Sequence, residues 1–346
     1  MNKTIDKKLF FSMTLDFLDV YIPQDSPSSK TVKTYRDGLT VFRRYVCDEK
    51  HMSVRSFRFA DCTFDFLLEY RNWLLDSKKR ARSTVNNRIA AVKSYLRYAS
   101  ARDTSLQQVY LSILEVPFLR VEKKILPIIE DPSDIKAFLD APPNTRIGCR
   151  DTMILSVLFD TMIRADELIK INVRDVSLDT GTPYILIHGK GNKERTVPLS
   201  EKVVPLVRAY VEEFHKDSGF QPDAPFIYTV SNGGVHRMSE RNVERIVKKY
   251  ADLTRKDHPS LPDPVYPHLL RRTRGTGLYR DGVAIEAIAV AMGHSSIQTT
   301  KDHYAFPSLE QKRSAMEKGT GVIASGKEIQ EWPDDENERA RLCGLR

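Results

Sequence analysis

The sequence predicts a mainly α-helical protein with a small β-sheet: a helical N-terminal bundle followed by a mixed α/β domain. Three observations carry this. The 346 residues exceed what one hydrophobic core ordinarily holds, so about two domains are expected. Up to about residue 110, apolar residues recur at helical spacings of three and four, with no alternating strand. Past mid-chain, two short β-prone runs flank a Gly-Lys-Gly-Asn turn, and helical spacing then returns.

In chain order, residues 10–21 supply the first helix. Val32, Tyr35, Leu39, Phe42 and Val46 mark the second, behind Ser28 and Ser29 as N-caps. Phe64, Leu67, Leu68, Leu74 and Leu75 mark the third, opened by Asp61 or Thr63; Val85, Ile89, Val92 and Leu96, after Ser83, mark the fourth. These form a bundle over 1–112. Periodicity weakens over 113–132, where Pro117, Pro127 and Pro132 fall, and this is read as the linker. The second domain, 133–318, opens with helices around 135–139 and 151–159. Tyr184–His188 and Glu194–Pro198 then form a hairpin around Gly189-Lys190-Gly191-Asn192, and helices continue to about Glu317, the last of them over 308–318. The tail, 319–346, carries little apolar material and the acidic run Asp334-Asp335-Glu336; it is expected to be disordered or to dock on a partner.

Composition narrows the function. Hydrophobic residues at 41% and charged residues at 29% suit globular cores. The net charge of +8 is unevenly placed: residues 1–110 hold 20 Lys and Arg against 12 Asp and Glu, while the remainder holds 34 of each. An excess confined to the first third reads as an electrostatic footprint for a polyanion, most often nucleic acid. Cys47, Cys62, Cys149 and Cys343 form no C-x-x-C pair, so neither a disulfide framework nor a zinc site is supported. With no signal peptide and no apolar run of membrane-spanning length, a cytoplasmic protein is expected.

Four segments carry chemistry. Arg164 ends an apolar run, with Glu167 three residues on, a spacing that by itself reads as a helix-surface ion pair. Lys190 sits at the hairpin tip within Gly189-Lys190-Gly191-Asn192-Lys193-Glu194-Arg195, where most lysines are merely solvated; no P-loop pattern surrounds it. His268 and Arg271 stand one helical turn apart behind Pro267. Gly293-His294-Ser295-Ser296-Ile297-Gln298-Thr299-Thr300 precedes Tyr304, with Gly293 a helix C-cap and Ser295 or Ser296 the next N-cap.

In this order the four segments resemble the catalytic domain of the tyrosine recombinases, the phage-type integrase family of lambda integrase, Cre and the Xer-like resolvases. The resemblance spans about 125–317, and more loosely the helical region before it, which would be a core-binding, SAM-like DNA-binding domain. It implies catalytic roles for Arg164, Lys190, His268, Arg271, His294 and Tyr304, with Glu167 a structural support. Two departures stand out. Met162 replaces a glycine common two residues before the first arginine, so the turn is expected to be shaped differently. Ten residues separate His294 from Tyr304, where several members have nine.

The implied chemistry suits these side chains. A phenol attacks a DNA phosphodiester, leaving a 3′-phosphotyrosyl link and a 5′-hydroxyl. The bond energy is retained, so no ATP is needed. Two guanidiniums meet the charge that develops on phosphate oxygens, which a fixed bidentate fork does better than an ammonium. Deprotonating tyrosine at pH 7 lies roughly 4 kcal/mol uphill, whereas an alkoxide leaving group is mismatched by roughly 12 kcal/mol, so the acid matters more than the base. Lys190 suits the acid, His268 the proton transfer from Tyr304, and His294 a hydrogen bond to the phosphate. A metal at this cationic site is unneeded, and no cofactor is expected.

The predicted DNA contacts are Lys78, Lys79, Arg80, Arg82, Asn86 and Arg88 in the bundle, and Lys193, Arg195 and Arg272 in the catalytic domain. The resemblance further implies a homotetramer on two double-stranded DNA sites, an integrase of a mobile genetic element, and an accessory directionality factor as a further partner. The rivals are a type IB topoisomerase-like enzyme, a catalytically silent DNA-binding regulator and a metal-dependent transposase. They separate by strand exchange between two duplexes, by a denaturant-resistant protein–DNA adduct, and by activity in chelator.

Overall fold

Apolar spacing in the first third becomes a helical unit built on one long helix. The computed structural model describes residues 6–25, 29–122, 126–189, 194–216, 221–294, 296–304, 307, 309–317 and 334–345. The chain divides into two compact units, Met1–Ile125 and Leu126–Arg346.

In the first unit, α1 (Ile22–Asp25), α2 (Ser29–Arg44), α3 (Phe64–Asp76), α4 (Arg82–Arg102) and α5 (Gln107–Leu114) are joined by short 3-10 and π-helical turns. Residues 10–21 are not the regular helix expected: a 3-10 turn, Phe10–Met13, is followed by a π-helical turn, Asp16–Tyr21. Pro23 follows at once and has no amide to continue an α-helical ladder, which favours this irregular winding. Thr63 caps α3 by accepting from the Phe66 amide. Ser83 does not cap α4, which starts one residue earlier, with Ala81 at the cap position and no side-chain bond there.

The spine is α4, which buries Val85, Ile89, Val92 and Leu96 as its spacing predicts and also buries Tyr95 and Tyr98. α2, α3 and α5 pack on it. A glycine within a helix costs about 1 kcal/mol relative to alanine. Gly38 repays this in proximity, because a Cβ there would stand 2.5 Å from the Cβ of Ala91 on α4.

In the second unit, Asp131 and Pro132 open α6 (Pro132–Asp140), and Thr145 caps α7 (Arg146–Thr161). α7 is buried along Met153, Ile154, Leu155, Val157 and Leu158, with α6, α9 (Val204–His215) and α11 (Pro267–Arg280) packed on it. Strands β2 (Tyr184–His188) and β3 (Glu194–Pro198) form the predicted hairpin, with Ile187 opposite Arg195 and His188 opposite Glu194. A two-residue strand, β1 (Val176–Ser177), extends it on the β2 side. Helices do not run unbroken from there: β4 (Tyr228–Ser231) and β5 (Gly234–Arg237) make a second hairpin. Its turn, Asn232-Gly233, has φ of +49° and +73°, the backbone that favours Asn-Gly.

The remaining helices are α8 (Ala165–Leu168), α10 (Glu240–Thr254), α12 (Ile285–Met292), α13 (Ile297–Tyr304), α14 (Leu309–Glu317) and α15 (Glu336–Leu342). The acidic run of the tail begins α15, where Asp335 accepts from the Asn337 amide. Among the described residues, no helix is long and apolar enough to cross a membrane.

Candidate active site

Two helix C-termini create the site. α7 ends at Met162, with φ +55° and ψ +21°, and α12 ends at Gly293, with φ +67° and ψ +42°. The last carbonyls of a helix have no partner within it, and the dipole makes that end negative. Arg271, on α11 and only 1% exposed, answers both ends. Its Nη1 donates to the Met162 carbonyl, and its Nη2 donates to the Met292 carbonyl at 2.8 Å. A buried guanidinium is tolerable because oxygens at two negative helix ends surround it.

The same Nη2 lies 2.9 Å from Nε2 of His294, while Nδ1 of His294 lies 2.8 Å from the hydroxyl of fully buried Thr300 on α13. Arginine can only donate, so Nε2 accepts and the ring proton sits on Nδ1, donated to Thr300. His294 here aligns Arg271. Donation to a phosphate from Nε2 would require releasing that bond. Gly293 caps α12 as predicted, its amide bonding the Val290 carbonyl and that of His294 the Ala289 carbonyl.

Arg164 is the N-cap residue of α8, two residues after Met162, and 40% of its side chain is exposed. Its amide donates to Glu167 Oε2 at 2.8 Å and its Nη1 to Oε1 at 2.9 Å. Glu167, 6% exposed, also receives Nη1 and Nη2 of Arg195 at 3.1 and 2.9 Å. Burial pushes the Glu167 carboxyl up, but the bonds from Arg195 and Arg164 outweigh it and hold the group below its ordinary value.

His268 is exposed in the first turn of α11, three residues before Arg271. Tyr304 closes α13, which packs against α11 and α12. The Tyr304 side chain lies outside what is described, as do Lys190 and Lys193 at the hairpin tip. The neighbouring tyrosines are engaged elsewhere: the Tyr266 hydroxyl accepts from Arg272 at 3.3 Å, and Tyr279 packs on the cluster of Met162, Ile288 and Met292.

Four residues expected to face DNA make hydrogen bonds within the fold instead. Arg272 is 3% exposed and donates to the Pro127 carbonyl at 2.7 Å, holding the start of its unit against α11. Arg195 is committed to Glu167 and, through Nε, to the Ala291 carbonyl at 3.3 Å. Asn86 bonds the Leu119 backbone in both directions, at 2.9 and 2.8 Å, and Arg82 donates to the Arg120 carbonyl at 3.1 Å. The sequence held a signal for Arg195. Two-residue alternation in β3 puts it on the face of buried Val197. Lys78, Lys79 and Arg80 are exposed, and the Lys78 ammonium stands over the Trp73 ring at 4.9 Å. Among the described residues, no cluster of His, Cys, Asp and Glu could hold a metal ion.

The model of the phage integrase family matches residues 131–310, and that of the phage integrase SAM-like domain matches 13–113. The tyrosine recombinase XerC of Staphylococcus epidermidis is 27% identical over 289 residues, covering 83% of this chain and 89% of the relative. Tyrosine recombinase XerD of the same species is 28% identical over 280 residues, covering 79% and 87%. Among solved structures, the XerH site-specific recombinase in a post-cleavage complex with palindromic difH substrate superimposes with a TM-score of 0.63 at 16% identity over 91% of each chain. At that identity, the likeness establishes the fold.

Proposed function

The chain belongs to the phage integrase family of tyrosine recombinases, and from that premise we propose that it cuts and rejoins double-stranded DNA through a 3′-phosphotyrosyl link to Tyr304. The observation that carries this reading is the bond from Arg271 to the Met162 carbonyl, two residues before Arg164. It joins two arginines 107 positions apart in sequence at one site, beside the helix that ends in Tyr304.

Each residue then has a task. The exposed part of Arg164 receives the non-bridging phosphate oxygens, and the buried Arg271 guanidinium adds positive charge at the same site. Tyr304 attacks phosphorus, with His268 taking its proton. Lys190 protonates the departing 5′-oxygen, the step with the larger pKa mismatch. His294 holds Arg271 in orientation, and Glu167 holds Arg164. In the second half-reaction a 5′-hydroxyl attacks the phosphotyrosine, Lys190 and His268 exchange roles, and the tyrosine is released. The biological reading is an integrase of a mobile element acting as a homotetramer on two sites, with an accessory factor setting direction. Exposed Lys78, Lys79 and Arg80, together with Arg88 and Lys193, supply phosphate contacts.

The test is incubation with sheared genomic DNA of the source organism, followed by denaturation and mapping of covalent adducts. Wild type forms an adduct at defined positions and Tyr304→Phe forms none while still binding, since the ring remains and the nucleophilic oxygen is lost. Arg164→Ala and Arg271→Ala each slow cleavage by about 10²-fold or more. A full-strength adduct from Tyr304→Phe overturns the assignment. Attachment points flanking the chain's own gene support the mobile-element reading, and points elsewhere oppose it.

A further inference from the structure

We infer that Arg195 is a positioning residue for the phosphate chemistry, keeping Arg164 available to substrate by occupying the carboxylate that would otherwise capture it. This rests on the recombinase reading above. Glu167 has two oxygens and faces two guanidiniums. Arg195 takes both oxygens with its fork, Nη1 on Oε1 at 3.1 Å and Nη2 on Oε2 at 2.9 Å. Arg164 is left one side-chain bond, to Oε1 at 2.9 Å, and its remaining donors stay outward on a side chain that is 40% exposed. A carboxylate prefers bidentate pairing with arginine. Without Arg195, Glu167 is free to take Arg164 in that way and withdraw its donors from the phosphate.

The guanidinium of Arg195 is itself fixed from its other edge. Its Nε donates to the Ala291 carbonyl at 3.3 Å, in the last turn of α12. The chain then passes over it at Gly293, where a Cβ would fall 2.7 Å from Cζ of Arg195. His294 follows directly, and the Met292 carbonyl just before it receives Arg271. The end of α12 thus holds the Arg195 fork in its pairing with Glu167. The donors of Arg195 are spent inside the protein and its side chain is only 16% exposed, so it is not the DNA contact its sequence context suggests. Lysine cannot substitute, because a point ammonium cannot hold both carboxylate oxygens and a carbonyl in one plane.

The experiment uses the full chain and a nicked duplex bearing an attachment site mapped as above, with cleavage followed at saturating DNA. For Arg195→Ala and Arg195→Lys the cleavage rate falls roughly 10²-fold while DNA affinity stays near wild type, the expected cost of misplacing a reacting group. The Arg164→Ala, Arg195→Ala double variant is no slower than Arg164→Ala, because Arg195 acts through Arg164. Sulfur at the bridging 5′-position, which removes the need for the acid, does not restore the rate. Weakened binding with an unchanged saturated rate would make Arg195 a DNA contact and overturn the inference. Multiplying losses in the double variant, or rescue by sulfur, would also overturn it, the latter by placing the defect at Lys190. If neither variant folds, as judged by thermal melts, Arg195 is purely structural and the inference fails. A wild type with no adduct on any DNA instead fails the recombinase reading itself.

Discussion

Met162 holds a left-handed backbone that costs an L-residue about 1–2 kcal/mol and that glycine enters freely. The turn was expected to differ where methionine replaces glycine; instead Met162 adopts a backbone that glycine favours. Its side chain, 3% exposed, accounts for this by packing on Ile288 and Met292 beside Leu278 and Tyr279. Loss of a buried methionine side chain costs about 2–5 kcal/mol, more than the strain relieved. Met162→Gly should therefore lower the unfolding free energy by about 1–3 kcal/mol in denaturant titrations. Met162→Ala loses nearly the same packing and keeps the strain, so it should be the less stable of the two by about 1 kcal/mol. An alanine variant more stable than the glycine one would mean the positive φ carries no cost. Cleavage should survive in the glycine variant, since Arg271 is held by the Met162 carbonyl, which any residue supplies.

At the scale of elements, the hairpin that carries Lys190 is clipped by an ionic contact at the strand pair next to its turn. His188 Nε2 lies 3.0 Å from buried Asp175, and Nδ1 lies 2.9 Å from Glu194 directly across the strands. Carboxylates accept at both nitrogens, so the ring is an imidazolium, its pKa raised chiefly by Asp175 and further by Glu194. A folded value above the unfolded one contributes stability that is complete below the unfolded pKa of about 6.5 and is lost as pH rises through the folded value. The thermal advantage of wild type over His188→Gln should accordingly be greatest near pH 6 and shrink toward alkaline pH; an advantage growing with pH would refute the clip. This hairpin was legible in sequence to the residue, because β-branched alternation flanked a Gly-rich turn. The β4–β5 hairpin was equally marked by Asn232-Gly233 and was passed over, since its strands, exposed along Val230 and Val235, lack the apolar face that announces a strand. The helices of the site and the Gly293 cap could be read from spacing. Apart from Arg195, which strand alternation places inward, what could not be read was which arginines turn inward, because Arg272 is as charged in sequence as Arg80. Burial is decided by partners such as the Pro127 carbonyl, 145 residues away.

On the scale of the whole molecule, the basic excess lies in the first unit, and the structure narrows which residues can express it. Asn86 and Arg82 are turned to the chain's own backbone, leaving Lys79 and Arg80 exposed at the start of α4. Replacing both should flatten the slope of log affinity against log salt by up to about 2, and an unchanged slope would return them to a solvated loop. The backbone that these side chains grip also sets where this unit can be cut. One stripe of α4, Arg82, Asn86 and Lys93, holds the segment after α5: Lys93 Nζ donates to the Leu114 carbonyl at 2.9 Å and to the Val116 carbonyl at 2.6 Å, and Arg71 on α3 donates to the Pro117 carbonyl at 3.0 Å. A fragment ending at 112, the boundary that periodicity suggests, loses fully buried Ile113 and Val116 and strands the Lys93 ammonium, 8% exposed, without its two acceptors. Two buried aliphatic side chains and one orphaned charge together cost about 5 kcal/mol or more, comparable to the whole stability of a small domain. Fragment 1–125 should therefore melt cooperatively and fragment 1–112 should not. Lys93→Met should recover part of the loss in the shorter fragment, because it removes the stranded charge, and should not stabilise the longer one to the same extent. If 1–112 melted at the temperature of 1–125, the segment from 113 to 122 would be a linker that merely rests on the bundle.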